Sequence, residues 1–350
     1  MIFNINEYLI NLPVNITEIK LNNKNLTSIP DLSKFINLKI LNCSFNKITS
    51  IPSNLPDSLE FLYMYDNDLT ELHDLPSNLD TLCCCHNKNL TYLPNLPNKL
   101  KKLCCYYNNF TNLPPLPNSL ITLYICFNNR LTSLPLLPDN LEKIYCYQNH
   151  SLSSLPILPN NLRILECFNN KIEDLPNLPD SLETLICNNN KLRHLPSLPN
   201  NLIRLECSEN LISFLPILSD SLELLLCEYN QLSYLPDLPI SLKVIRFNYN
   251  PIYEVLHDLK FIFIDNYTSS ALYINIIRQN IKKINNFRFT YYLLKFKRGF
   301  WDLLWIKVRE PKIREYYSPE NLIIKLKEIN IYDENKDENM EIMDNLLNNW

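Results

Sequence analysis

The chain has 350 residues, 33 Lys+Arg against 37 Asp+Glu, a formal net charge of −4 and 46% hydrophobic residues. It carries one glycine, Gly299, and one alanine, Ala271, where an average chain of this length would hold roughly 25 glycines. No GxGxxG, GxxxxGK[ST] or GxSxG loop can be built from one glycine, which excludes kinases, P-loop NTPases, Rossmann dehydrogenases and α/β-hydrolases, while the apolar content excludes a disordered chain.

Residues 1–15 read as a short N-terminal cap. The opening MIFNINEYLI lacks a basic stretch, and Glu7 interrupts its apolar residues, so no signal peptide is expected. No run of about 18 uncharged apolar residues occurs, so no membrane span is expected. Twelve cysteines without a secretion signal imply a reducing compartment, hence an intracellular, cytoplasmic protein. The Asn-x-Ser/Thr triplets at Asn89 and Asn109 are chance matches in an Asn-rich repeat.

From residue 16 the sequence repeats itself. The pattern LxxLxCxxNxL fits from Leu38, Leu59, Leu162, Leu182, Leu202 and Leu222, and with one inserted residue from Leu79, Leu120 and Leu141. It also fits from Leu100, with Phe110 at its end, and from Leu242, with Phe247 and Ile252. A degenerate first copy begins at Ile16, where Lys24 replaces the usual Asn. About 12 repeats thus fill residues 16–255, spaced 20 to 22 residues apart and mostly joined by LPxLPxxL. Positions 4 and 6 alternate with 3, 5 and 7, which predicts a short strand with one face inward. Successive strands then stack as a parallel sheet about 4.8 Å apart. The Asn at position 9 can bond backbone groups where the chain turns off the strand, groups that would cost about 1–3 kcal/mol each if buried unpaired. Prolines hold the return extended, which predicts a thin, mostly non-helical convex side.

With its LPxLP returns, the stretch 16–252 resembles the short leucine-rich repeats of bacterial secreted effectors. The Asn/Ile/Tyr-rich composition, the cysteines at position 6 and the C-terminal extension look like leucine-rich repeat proteins of giant, mimivirus-type viruses of amoebae. The resemblance implies an α/β solenoid, a leucine-rich repeat horseshoe with a parallel concave sheet. It also implies an interaction scaffold without enzymatic chemistry or cofactor, acting in the host cytoplasm if viral. One branch of the effectors carries a ubiquitin-ligase domain with a catalytic cysteine after its repeats. Here the last cysteine is Cys227, inside a repeat, so that activity is not carried over.

Eight cysteines occupy position 6: Cys43, Cys84, Cys105, Cys146, Cys167, Cys187, Cys207 and Cys227. There they read as a column of buried, inert thiols. Cys83 and Cys104 at position 5, with Cys85 and Cys126 at position 7, read as surface thiols on the concave side. Cys83, Cys85, Cys104 and His86 form a candidate tetrahedral zinc set, against which stand the rigid sheet and the absence of any CxxC pair. The five histidines, His73, His86, His150, His194 and His257, read as solvated turn residues.

Positions 3, 5, 7 and 8 outline the concave surface. Its first copies offer Lys20, Asn22 and Asn42, and its last Glu206, Glu209, Glu228 and Arg246. Between them lie Phe61, Tyr63, Tyr65, Tyr106, Tyr107, Tyr124, Phe127, Tyr145, Tyr147 and Phe168. Folding does not require aromatics at solvent-facing positions, and Tyr suits interfaces, so these ten residues are the candidate partner-binding set. Residues 1–255 carry 18 basic and 24 acidic side chains, the reverse of a nucleic-acid footprint, so a protein and not a nucleic acid is the expected partner.

Residues 256–350, with 15 basic and 13 acidic residues, read as a helical C-terminal cap and extension. Helices are predicted over 270–285, 287–309, 319–331 and 340–348, with Leu256–Asp265 as the segment that covers the last repeat. The aromatic and basic run YYLLKFKRGFWDLLWIKVREPK resembles an interfacial amphipathic helix and reads as a small helical domain burying Phe300, Trp301, Leu304 and Trp305, with partner docking and membrane or nucleic-acid contact as the alternatives. The function expected overall is a non-enzymatic scaffold. The alternative is an adaptor whose C-terminal region recruits cellular machinery, for example ubiquitin-related, while the repeats select the target.

Overall fold

A computed structural model describes residues 3–258 and 274–286. Among the described residues, twelve strands of three residues form one parallel sheet whose spatial order follows the chain. They are β1 (Glu18–Lys20), β2 (Ile40–Asn42), β3 (Phe61–Tyr63), β4 (Thr81–Cys83), β5 (Lys102–Cys104), β6 (Thr122–Tyr124), β7 (Lys143–Tyr145), β8 (Ile164–Glu166), β9 (Thr184–Ile186), β10 (Arg204–Glu206), β11 (Leu224–Leu226) and β12 (Val244–Arg246). Each strand covers repeat positions 3 to 5, and neighbours pair position for position, as in Leu165↔Leu185. The middle residue of every strand is buried. Positions 1, 4, 6 and 11 supply a continuous core; Leu162, Leu165, Cys167 and Ile172 illustrate one layer, each fully buried.

The position-9 asparagines form a second ladder beneath the sheet. Asn170 Nδ2 donates to the carbonyls of Cys146 (3.0 Å) and Cys167 (2.8 Å), bridging two repeats. Its Oδ1 accepts from the backbone N–H of Asn149 at 2.7 Å. Where a repeat has no insertion, the acceptor role shifts: Asn190 Oδ1 takes the N–H of Ile172, and Asn210 Oδ1 that of Leu192. The inserted residue causes this change. In the long copies the apolar N–H closes a tight turn on its own Asn carbonyl, as Leu90 does on Asn87, so the next Asn takes the freed Asn N–H instead.

Position 8 is left-handed in every repeat, with φ between 50° and 58° from Asn23 to Tyr249. Glycine is the usual residue there, yet the chain's one glycine lies elsewhere. Ordinary side chains, including Phe45, Tyr107, Phe127, Tyr229 and Tyr249, therefore bear a cost of about 1–2 kcal/mol each. The geometry keeps the ladder going past the strand. The N–H of Tyr107 still reaches the carbonyl of Cys126 at 3.0 Å.

The returns contain no helix between β1 and β12. Nine returns close on a PxxL turn, as in Leu182 N–H to Pro179 carbonyl at 3.0 Å, while the first closes on Phe35, whose carbonyl takes the Leu38 N–H at 2.9 Å. A second copy has Ser219 in place of Pro, and its hydroxyl donates to the Asn200 carbonyl of the preceding repeat at 2.6 Å. At the N-terminal end, α1 (Ile5–Ile10), capped by Asn4, buries Leu9 on the first repeat. At the other end α2 (Pro251–Asp258) continues directly from Asn250. A helix over 274–286 then lays Ile274, Ile277 and Ile281 onto the core. Arg278 donates to the Leu238 and Pro239 carbonyls, and Asn285 to that of Leu235, so exposed backbone of the last return is paired. Part of the expected covering segment Leu256–Asp265, and the helices predicted over 287–309, 319–331 and 340–348, lie outside the described residues.

Candidate partner-binding face

The strands hold the aromatic side chains at fixed lateral spacing, and the rings meet across repeats. On the open face of the sheet Tyr124 and Tyr145 stack with centroids 4.4 Å apart and planes 2° from parallel. Along the strands' C-terminal edge runs a longer ladder. His86 stacks on Tyr107 at 4.4 Å and Tyr107 on Phe127 at 3.9 Å. Phe127 then meets Tyr147 edge-on at 5.6 Å, and Tyr147 stacks on Phe168 at 4.3 Å. Tyr106 closes edge-on against both His86 and Tyr107. Tyr65 packs edge-on against Phe45 at 4.9 Å. Phe61 and Tyr63 on β3 are half-buried and stand outside these stacks.

Each stacked pair is worth about 0.5–1.5 kcal/mol beyond its buried area. That offsets much of the left-handed strain at Tyr107 and Phe127. Burial pushes the hydroxyls of Tyr106 and Tyr145 up to about 12, with neighbouring thiols or Tyr124 adding to the effect. The face is therefore neutral and apolar, with protonated phenols as hydrogen-bonding tips. Toward β8–β11 it turns acidic. Burial raises the carboxyls of Glu166 and Glu228 above the usual range, and Arg204 pairs with Glu206.

Two expectations about this face need correction. Cys85, Cys104 and Cys126 are buried, with 2%, 6% and 2% exposure, and are not surface thiols. At position 7 the sulfurs of Cys85 and Cys126 interact with Tyr106 and Tyr147 of the next repeat, and the Cys126 thiol donates to the Tyr145 carbonyl at 3.2 Å. His86 is half-exposed at its left-handed bend and, beyond the solvated turn residue expected, is the first ring of the edge ladder. Among the described residues no group of three or more His, Cys, Asp or Glu side chains is close enough to hold a metal ion. The position-6 thiols are fully buried, and burial pushes Cys43, Cys167 and Cys207 up to about 12.

The candidate set also omits members. Phe45, Tyr229 and Tyr249 are exposed by 50%, 51% and 60%, and the latter two stack at 4.1 Å. All three sit at position 8, so reading that column through every repeat would have found them.

No protein-family model matches this chain, and no curated protein matches it in sequence. Solved structures do. The repeats of FLRT2, from a complex with latrophilin 3 and Unc5D, align over 72% of this chain and 88% of that one, at 23% identity and a TM-score of 0.55. The chain has the leucine-rich repeat fold. A leucine-rich repeat domain of InlJ from Listeria monocytogenes, which includes a cysteine ladder, aligns over 66% of this chain and 57% of its own, at 24% identity and a TM-score of 0.52. YopM from Yersinia enterocolitica is 32% identical over 67% of this chain, with a TM-score of 0.43. The present chain spans 65% of that YopM chain. No helix among the described residues is long and apolar enough to cross a membrane.

Proposed function

We propose that this leucine-rich repeat chain is a non-enzymatic scaffold that binds a partner protein through its aromatic face. The observation that carries the reading is the ring ladder from His86 through Tyr107, Phe127 and Tyr147 to Phe168, with the Tyr124–Tyr145 stack beside it. These rings occupy positions the core does not use. Their torsions are already restrained by stacking, so less ordering cost falls on binding. FLRT2 offers a precedent for a leucine-rich repeat protein assembled with protein partners. The twelve free cysteines suit a partner in a reducing, cytoplasmic setting, the host's if the giant-virus resemblance holds. The acidic flank disfavours nucleic acid.

Within the C-terminal region, the docking of Arg278 and Asn285 on the last return supports a cap role for 274–286 rather than a detached recruiting domain. The test is capture from cell lysate with the full chain and with a Tyr124→Ser, Tyr145→Ser, Tyr147→Ser triple variant. Partners that bind the first and are lost by the second support the reading. Partners that bind both move recognition to the C-terminal region and favour the adaptor.

A further inference from the structure

Cys83 and Cys104 stand apart from the other ten cysteines. They are direct partners across β4 and β5, in register at position 5 on the sheet's open face. Adjacent strands lie about 4.8 Å apart, inside the roughly 4.4–6.8 Å Cα separation that a disulfide spans. The two thiols lie close enough to interact with each other. Cys83 is half-exposed, while every other cysteine is buried. Lys102, two residues before Cys104 on the same face, reaches over the Tyr124 ring and leaves its ammonium near the pair. The Cys104 thiol and the Lys102 charge hold Cys83 below its usual value, whereas burial raises the position-6 thiols. Cys84 and Cys105 are spaced alike one position deeper, but no oxidant reaches them there.

We infer that Cys83 and Cys104 form a peroxide-sensitive dithiol that closes to a disulfide between the fourth and fifth repeats. The Cys83 thiolate attacks one oxygen of hydrogen peroxide. The S–O bond forms as O–O breaks, and the departing hydroxide takes up the proton Cys83 had released, leaving as water. The Cys104 sulfur then attacks the sulfenic sulfur. The S–S bond forms as S–O breaks, and the second water leaves with the Cys104 proton. Two thiols are oxidised by two electrons, and one peroxide is reduced to two waters. The bond would lie between Tyr63 and Tyr124, at the centre of the aromatic face, and would fix the spacing there.

The test treats the reduced full-length chain with hydrogen peroxide, blocks remaining thiols under denaturing conditions, and maps peptides by mass spectrometry without reductant. The expected product is a Cys83–Cys104 cross-link within one chain, reversed by dithiothreitol. In the native reduced chain Cys83 should alkylate roughly tenfold or more faster than any other cysteine. With Cys104→Ser, Cys83 should stop at the sulfenic acid and be trapped by dimedone. Over-oxidation of Cys83 without a cross-link, a bond to another cysteine or another chain, or no reaction would each overturn the inference. The map of the unmutated chain decides the matter even where the Ser variant does not fold.

Discussion

Asn149→Ala probes the ladder that joins the repeats. Asn149 is fully buried. Its Oδ1 accepts the Asn128 N–H at 2.7 Å, and its Nδ2 donates to the carbonyls of Ile125 (3.0 Å) and Cys146 (2.7 Å). The three losses are unequal. The Cys146 carbonyl keeps Asn170 as a donor at 3.0 Å, and Ile125 keeps a longer bond from Asn128 at 3.4 Å. Only the Asn128 N–H is stranded, at about 1–3 kcal/mol, and the two weakened carbonyls add about 0.5–1 kcal/mol together. The expected loss is about 2–4 kcal/mol. Urea unfolding followed by far-UV circular dichroism would show it as a lower midpoint. Because the repeats stack one-dimensionally, amide exchange at Asn128 and its neighbours should accelerate first. A midpoint within error of the parent, with Asn128 still protected, would refute the ladder argument.

Leu165→Ala, in the centre of the core, should cost about 2–5 kcal/mol from its cavity, read from the same unfolding curves. By contrast, Tyr145→Ala should cost no more than about 1.5 kcal/mol, the stacking with Tyr124, while weakening partner capture. At Gln148, where φ is 58°, Gly should be neutral or better, and Val should destabilise by about 1–2 kcal/mol in thermal melts. The reduced chain should lose stability as pH rises from about 9 toward 12. The position-6 thiols Cys43, Cys167 and Cys207 have folded values raised from 9.0 to about 12, so in that window the unfolded state releases protons the folded state keeps. Each thiol contributes at most about 1.4 kcal/mol per pH unit, and an unfolding midpoint unchanged between pH 8 and 10.5 would contradict the buried column.

Which residues share a strand was readable because the repeat length equals one turn of the solenoid. Residues such as Leu165 and Leu185, one period apart, had to become neighbours, and the buried column, the parallel sheet and the position-9 asparagines followed from that spacing. The juxtaposition of Cys83 and Cys104 came from the same arithmetic. The arithmetic failed for three thiols, among them Cys104 at position 5, which is 6% exposed. Alternation also predicted that Cys85 and Cys126 at position 7 face solvent, but the strand has already ended there and both sulfurs are buried, interacting with Tyr106 and Tyr147. His86 read as a turn residue because no periodic rule says that position 8 is left-handed, and that backbone state aims its ring along the solenoid onto Tyr107. By itself the sequence determined every contact that one-dimensional translation enforces: strand order, register, core and ladder. Only the tertiary structure decided the ring stacks, the covered thiols and the docking of Arg278 and Asn285 on the last return, because these depend on side-chain direction after a change of backbone handedness or on a helix with no repeat to set its place.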